Sequence, residues 1–391
     1  MSNEIAIIIT LSLIIFSAPL LSKIIRIPVI PIEIFLGSLA VSFTFIHENH
    51  IFTLVAELGF LYLMFLAGLE VDLKRLLKIS PELLKKGLLY SFLLYTLAAL
   101  FTWGCGLSKI FIVILPLISI GLLAVLKKEY GETPWITLAF TVGLIGEIIS
   151  IIVLAAASAG LEYGLGTEFY KSLISLAIVF VAMITLYYFF RNLIWWYPEL
   201  KTYLMPKDDN QEQDIRVSMS IFFLMIAVML YLHLEVVLGA FIAGVFIRTF
   251  FGHNKELPHK LEHFGFGWLV PIFFVWIGTS FELKSLFLPN LITTALLITF
   301  GMIFIRFVSS LVFIKEIGLQ KVTLMALSHS MPLTLIIAVA TLALHNNSIS
   351  NFYYYAFILS AIFEVILCMI FIRLLAKKEQ KNSKENRRIG N

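Results

Sequence analysis

Polar and apolar residues are sorted along this chain into long blocks. Apolar runs of about 15–25 residues, the length a helix needs to cross the hydrocarbon layer of a bilayer, alternate with short segments that collect the charges. Inside lipid, every backbone N–H and C=O has to be satisfied within the spanning structure, which leaves helices and closed barrels. Barrel strands alternate in polarity from residue to residue, and these runs do not. The pattern therefore predicts an all-α polytopic membrane protein. Thirteen spans are expected, roughly Glu4–Leu21, Pro28–Phe45, Phe52–Leu69, Leu88–Cys105, Ile110–Leu126, Pro134–Ala157, Leu173–Phe190, Val217–Tyr231, Val236–Phe250, Phe264–Thr279, Pro289–Phe313, Val322–Leu344 and Phe352–Leu374.

Composition strengthens this reading. Hydrophobic residues make up 60% of the 391 residues and charged ones 14%, against about 25% charged in a soluble globular chain. Such a chain could not cover its apolar surface in water, and lipid is its solvent. The net charge of +4 follows from a bias between loops and does not imply nucleic acid. With the N-terminus outside, the inner segments and the C-terminal end, counting Arg248 and Arg373 at the inner ends of their spans, hold 25 of the 29 Lys and Arg residues, the outer segments hold Lys109, Lys171 and Lys284, and Arg306 alone falls deep inside a span. This is the positive-inside pattern. It predicts an inner (cytoplasmic) membrane, with the N-terminus outside and the C-terminus in the cytoplasm. Glu4 precedes the first run in place of a basic n-region, so that run reads as a retained span and not as a signal peptide. Cys105 and Cys368 both lie in apolar runs and read as small buried residues, not as a disulfide or metal pair.

The long polar connection Arg191–Arg216 divides the chain into halves that resemble each other in order. Glu33 and Gly37 of the second span match Glu235 and Gly239 of the ninth, at an offset of 202. Gly68, Asp72 and Leu73 match Gly278, Glu282 and Leu283, at an offset of 210. Seven spans separate the partners, so they cross in opposite senses. An inverted repeat of this kind suits alternating access, with an ion site near the midplane. The expected organisation is a membrane domain over 1–376, with repeat one at about 4–158, a linker helix at about 168–216 and repeat two at about 217–375. A short basic cytoplasmic tail at 377–391 is expected to be disordered.

Ionisable residues within spans are costly and point to function. Glu147 lies mid-span in Gly143-Leu-Ile-Gly146-Glu147-Ile-Ile-Ser150. A carboxyl group at that depth loses hydration and can hold either a proton or a cation, which is the simplest coupling chemistry. Arg306 keeps its charge and needs a partner, backbone carbonyls, or a route by which to snorkel to the inner face. Glu364 of the last span either pairs with Arg306 or is a buried protonated acid. Glu33, Glu57, Glu70, Asp72, Glu235 and Glu282 lie near span ends, where solvated or capping roles are expected for most of them. Two spans carry breaks: Leu115-Pro116-Leu-Ile-Ser119-Ile-Gly121 in the fifth and Ser328-His329-Ser330-Met-Pro332-Leu-Thr334 in the twelfth. Proline, glycine and hydroxyl residues there either free carbonyls that coordinate a dehydrated cation or make ordinary kinks. His329 either titrates near neutral pH or is a structural histidine.

Arg26-Ile-Pro28 followed by Glu33 and Gly37, then Ala56-Glu57-Leu58-Gly59 leading to Phe65-Leu-Ala-Gly68-Leu69-Glu70, and Pro271-Ile-Phe-Phe274-Val-Trp-Ile-Gly278 ending at Glu282-Leu283, resemble the bacterial monovalent cation:proton antiporters. The likeness is to the branch that includes Na+/H+ exchangers and the membrane parts of potassium-efflux systems. It covers nearly all of Ile7–Leu374. It implies inverted six-helix repeats in an Na+/H+ antiporter-like fold, with a dimerisation domain and a core domain. The fifth and twelfth spans would be two crossed, partly unwound helices of that core. It further implies that Glu147 holds the acidic ion-binding position of the sixth span and that Arg306 is its basic counterpart. Gly146 stands where the family's first polar or acidic residue is expected, and Ser119 is what remains of the polar group at the fifth-span crossing. With one acid, electroneutral exchange of Na+ or K+ for H+ is expected. Glu147 and Ser119 would bind ion and proton, and Arg306 would balance charge. Ser328, His329, Ser330, Thr334 and Glu364 are lesser candidates. The core would move like an elevator against a homodimer scaffold. The expected partners are a monovalent cation, H+, lipid and a second copy, with no cofactor and no nucleic acid. The motifs of a membrane enzyme, such as His-Glu-x-x-His or an Asp-rich pair for Mg²⁺, are absent from the sequence, so no enzyme activity is expected. A degenerate scaffold, sensor or channel-like protein is the other reading.

Overall fold

A computed structural model describes residues 3–389, apart from 26–27, 44, 47–48, 72–77, 233–235, 281–285 and many positions within 121–129, 164–211 and 252–255. It describes only the backbone of 377–389. Arg26, Asp72, Gly121, Glu235 and Glu282, and most of the seventh span with the connection after it, lie outside the described residues. The chain forms α1 (Asn3–Ile25), α2 (Val29–Ser42), α3 (His50–Glu70), α4 (Pro81–Gly104), α5 (Phe111–Ile114), α6 (Pro134–Tyr163), α7 (Gln213–Tyr231), α8 (Val236–Phe250), α9 (Leu257–Phe264), α10 (Val270–Ser280), α11 (Leu291–Ser310), α12 (Ile314–His329), α13 (Leu333–His345) and α14 (Asn351–Ile389). Among the described residues, eight helical stretches are long and apolar enough to cross a membrane, and α2, α8 and α13 are apolar but shorter. The fifth and twelfth expected spans are interrupted. The tenth is one continuous run in which a π-turn, Gly265–Leu269, joins α9 to α10. The tail expected to be disordered continues α14 to Ile389, since neither proline nor glycine interrupts it before Gly390.

Helix starts follow local chemistry. Ser80 caps α4 by accepting the Leu83 N–H at 3.4 Å, with Pro81 at the first helical position. Asn49 caps α3 through the Ile51 N–H at 2.8 Å.

The helices gather into two compact units. One comprises Met1–Lys74 and Ser158–Ser285, the other Arg75–Ala157 and Leu286–Asn391. Neither unit coincides with one of the expected repeats: each takes parts of both. In the first unit, α2 packs on α10 and α3 on α8, and glycines let the backbones meet. Gly37 stands against the Val275 carbonyl and Gly278 against that of Ile34, while Gly244 stands against the Phe65 carbonyl and Gly68 against that of Phe241. These two crossings are equivalent. They pair Phe65 with Val275 and Gly68 with Gly278 at the expected offset of 210. They also pair Ile34 with Phe241 and Gly37 with Gly244, an offset of 207 in place of 202. The Glu-x-x-x-Gly words that suggested 202 are short, whereas the packing surface is what two equivalent crossings must share.

Three acids of this unit sit differently from one another. Glu57 is exposed and Glu70 half-buried, but Glu33, one turn into α2, is 4% exposed and is not the solvated span-end residue expected. Asp214, in the first turn of α7 where a negative charge meets the helix dipole favourably, accepts from Lys260 Nζ at 3.1 Å.

Candidate functional site

The second unit contains both breaks. After α5 the chain turns at Leu115–Pro116 and runs without regular structure over 117–120. Unwinding strips these backbone groups of helical partners, and in a membrane each orphan costs several kcal/mol. Two neighbouring helices replace the lost bonds. The Leu117 carbonyl accepts from Arg306 Nη2 on α11 at 2.6 Å. The Ile118 N–H donates to Ser150 Oγ on α6 at 3.2 Å, and Ser150 donates onward to the Gly146 carbonyl at 2.8 Å.

Arg306 is fully buried. Its Nη1 donates to the Met302 carbonyl at 3.1 Å and to Glu364 Oε1 on α14 at 3.3 Å. Of the alternatives open in the sequence, the structure shows the Arg306–Glu364 ion pair, with both side chains enclosed. A buried pair is weak evidence for stability, but loss of either partner leaves an uncompensated charge. Arg306 thus joins the fifth, eleventh and last spans.

The second break separates α12 from α13 at Ser330–Pro332. Ser328 and Ser330 turn their hydroxyl hydrogens onto their own helix, at the Met325 and Ala326 carbonyls (2.7 and 3.0 Å), leaving oxygen lone pairs for another ligand. Cys368 Sγ reaches the Ser330 carbonyl at 3.4 Å. Thr334 is half-buried in the first turn of α13. His329, the last residue of α12, is fully buried between Tyr90 and the Ala139 carbonyl.

Glu147 is 1% exposed in α6. It is one residue after Gly146, whose carbonyl is tied through Ser150 to the unwound stretch, and Ser119 lies half-buried within that stretch. Gly146 itself has a steric explanation: a Cβ there would run into Ile118 Cδ1, so the isoleucine of the unwound stretch occupies the space a side chain would need. The structure therefore brings a buried carboxyl, a stretch of unwound backbone and a fixed guanidinium into one unit. Such a set can exchange a proton for a cation at the carboxylate, with oxygen ligands from hydroxyls and carbonyls. Two contributors escaped sequence reasoning. Ser150 carried a faint signal, lying four residues after Gly146 on the same helix face. Tyr90 carried none, being one aromatic among many in apolar runs.

The family model described as sodium/hydrogen exchanger, transmembrane, matches residues 10–378. The chain belongs to this family. This exchanger-family chain is similar to a putative Na(+)/H(+) antiporter, YjbQ, of Bacillus subtilis, at 27% identity over 349 residues, 84% of this chain and 55% of the relative. It thus spans about half the length of that relative. It is also similar to a K(+)/H(+) antiporter subunit, KhtU, of the same organism, at 26% identity over 287 residues, 69% of this chain and 68% of the relative. Its fold matches the solved structure of the sodium proton antiporter MjNhaP1 of Methanocaldococcus jannaschii with a TM-score of 0.65 at 16% identity, covering 96% of this chain and all of that one. The fold is thus that of a multi-pass α-helical antiporter.

Proposed function

We propose that this protein is a secondary antiporter that exchanges a monovalent cation, Na+ or K+, for H+ across an inner membrane, with Glu147 as the group that holds each in turn. The observation that carries the reading is the placement of buried Glu147 beside the residue whose carbonyl is linked, through Ser150, to unwound backbone. Ser119 and groups at the second break, Ser328, Ser330 and Thr334, complete the cation site. Arg306 supplies a fixed positive charge to the unit, which it shares between Glu364 and the Leu117 carbonyl. One titrating acid then exchanges one charge for one, and transport is electroneutral. The second unit moves as an elevator against the first in a homodimer, with the N-terminus outside and the C-terminus in the cytoplasm. The relatives named for Na+/H+ and K+/H+ exchange support the reaction type and leave both cations in play.

The test is proton flux in proteoliposomes that enclose a pH dye, with Na+, Li+, K+ or Rb+ added in turn, for the wild type and Glu147→Gln. One cation is expected to drive flux in the wild type and none in the variant. Flux that survives Glu147→Gln would remove that residue from the mechanism. The second reading, a degenerate scaffold, sensor or channel-like protein, draws on the Ile118 side chain packed over Gly146. It becomes the better one if folded wild type moves no protons with any cation.

A further inference from the structure

The imidazole of His329 bridges three helices of the second unit. Its Nδ1 lies 2.9 Å from the Tyr90 hydroxyl on α4, and its Nε2 2.8 Å from the Ala139 carbonyl on α6, while its own backbone ends α12 at the break. The ring and Tyr90 are fully buried. A carbonyl oxygen only accepts, so Nε2 must carry hydrogen. A neutral ring then offers its Nδ1 lone pair to the tyrosine O–H, and both nitrogens are satisfied. This assignment follows from the hydrogen-bond pattern.

The surrounding charges match a neutral ring. Arg306 on α11 is the charged group that faces both Tyr90 and His329, and its partner is Glu364 on α14. Ser310 of α11 faces the Tyr90 hydroxyl, the Phe313 ring lies against the tyrosine ring, and Cys368 of α14 reaches the residue after the histidine. Among the described residues, no carboxylate bonds the imidazole.

Ala139, Gly143 and Glu147 recur every four residues and share one face of α6. A Cβ on Gly143 would stand 3.1 Å from His329 Nε2, so glycine leaves room for the ring on that face. The imidazole therefore rests on the same strip that ends, two turns on, at Glu147.

We propose that His329 and Tyr90 are a positioning pair. The neutral imidazole, oriented by Tyr90, keeps the α12–α13 break in register with the face of α6 that bears Glu147, and so sets cation affinity without carrying the transported proton. The proposal rests on the reading of Glu147 as the ion-binding group, and it takes the structural side of the alternatives that His329 presents in the sequence.

Full-length wild type, H329Q, H329A and Y90F in the same proteoliposomes test it. A glutamine amide can still reach the Ala139 carbonyl but gives up Tyr90; alanine gives up both. The KM for the driving cation is expected to rise about tenfold in H329A and about threefold in H329Q and Y90F, the scale of one or two hydrogen bonds. The maximal rate per folded protein should change less, and the pH midpoint of flux should stay in place. A midpoint displaced by about one unit would make the ring a proton carrier. An unchanged KM with a lowered melting temperature would make it a packing residue only. Either result overturns the proposal. Histidine ¹⁵N NMR of the wild type, with H329Q to assign the signal, gives a readout independent of transport. The Nε2–H neutral tautomer is expected from about pH 6 to about pH 8.5, and an imidazolium signal in that range also overturns the proposal. If the wild type shows no cation-driven flux, the antiporter reading falls and takes the link to ion binding with it, while the NMR still decides the tautomer.

Discussion

The two units are built on opposite principles. The first runs mostly as uninterrupted helices and brings them together through glycines, so that backbone meets backbone at Gly37, Gly68, Gly244 and Gly278. The second contains both breaks and is held by side chains that reach across to backbone. Among the described residues, five buried polar or charged side chains belong to the first unit and thirteen to the second. The difference follows from the breaks. A continuous helix satisfies its own peptide groups, so its neighbours need supply only shape. An interrupted one leaves carbonyls and N–H groups that lipid cannot satisfy, and Arg306, Ser150 and Cys368 answer that need.

Among substitutions that separate the two units, removal of a buried charge should have the largest effect. Glu364→Ala leaves Arg306 enclosed without its anion and is expected to cost about 3–5 kcal/mol, seen as a sharp fall in melting temperature in detergent. A joint Arg306→Met/Glu364→Leu exchange should recover part of it. Gly244→Val in the first unit forces a side chain into the Phe65 carbonyl and should cost about 3 kcal/mol, yet the folded fraction should keep the wild-type cation KM. A changed KM there would show that the glycine crossings are not a passive frame. Ser150→Ala strands the Ile118 N–H and should cost about 1–2 kcal/mol, and here the cation KM should rise, measured by flux against cation concentration. An unmoved KM would detach the unwound stretch from the ion site. At the small end, Lys86→Ala removes surface ion pairs to Glu82 and Glu316, where salt and entropy leave little net gain. Its melting curve should overlay the wild type.

Most of the architecture was legible in the sequence because lipid imposes a simple rule. Apolar runs of fixed length mark helices, and the breaks at Pro116 and Pro332 fall where proline and hydroxyl residues cluster. The buried positions of Glu147 and Arg306 were legible for the same reason, since a charge in an apolar run has few other places to go. The second-to-ninth register was misread by five residues, because a surface of glycine against carbonyl leaves no charged word to align. The partner of Arg306 could not be chosen, because pairing depends on how α11 and α14 meet. Tyr90 and Ser150 were hidden for a related reason: a hydroxyl is ordinary in a span until the carbonyl or imidazole opposite it is known. Glu33 is expected near a span end, but α2 packs on α10, and that packing, which the sequence does not show, accompanies its burial.

A chain whose compact units each draw on both repeats cannot finish either one early. At about 5–20 residues per second, α3 waits roughly 9–36 s for α8 to be synthesised, and α2 roughly 12–48 s for α10. The Leu117 carbonyl likewise waits, until the ribosome has passed Arg306. The first half of the protein therefore resides in the membrane as a set of inserted helices without their final neighbours. During that interval the glycine faces of α2 and α3 and the carbonyl of Leu117 have yet to meet the partners they hold in the finished fold.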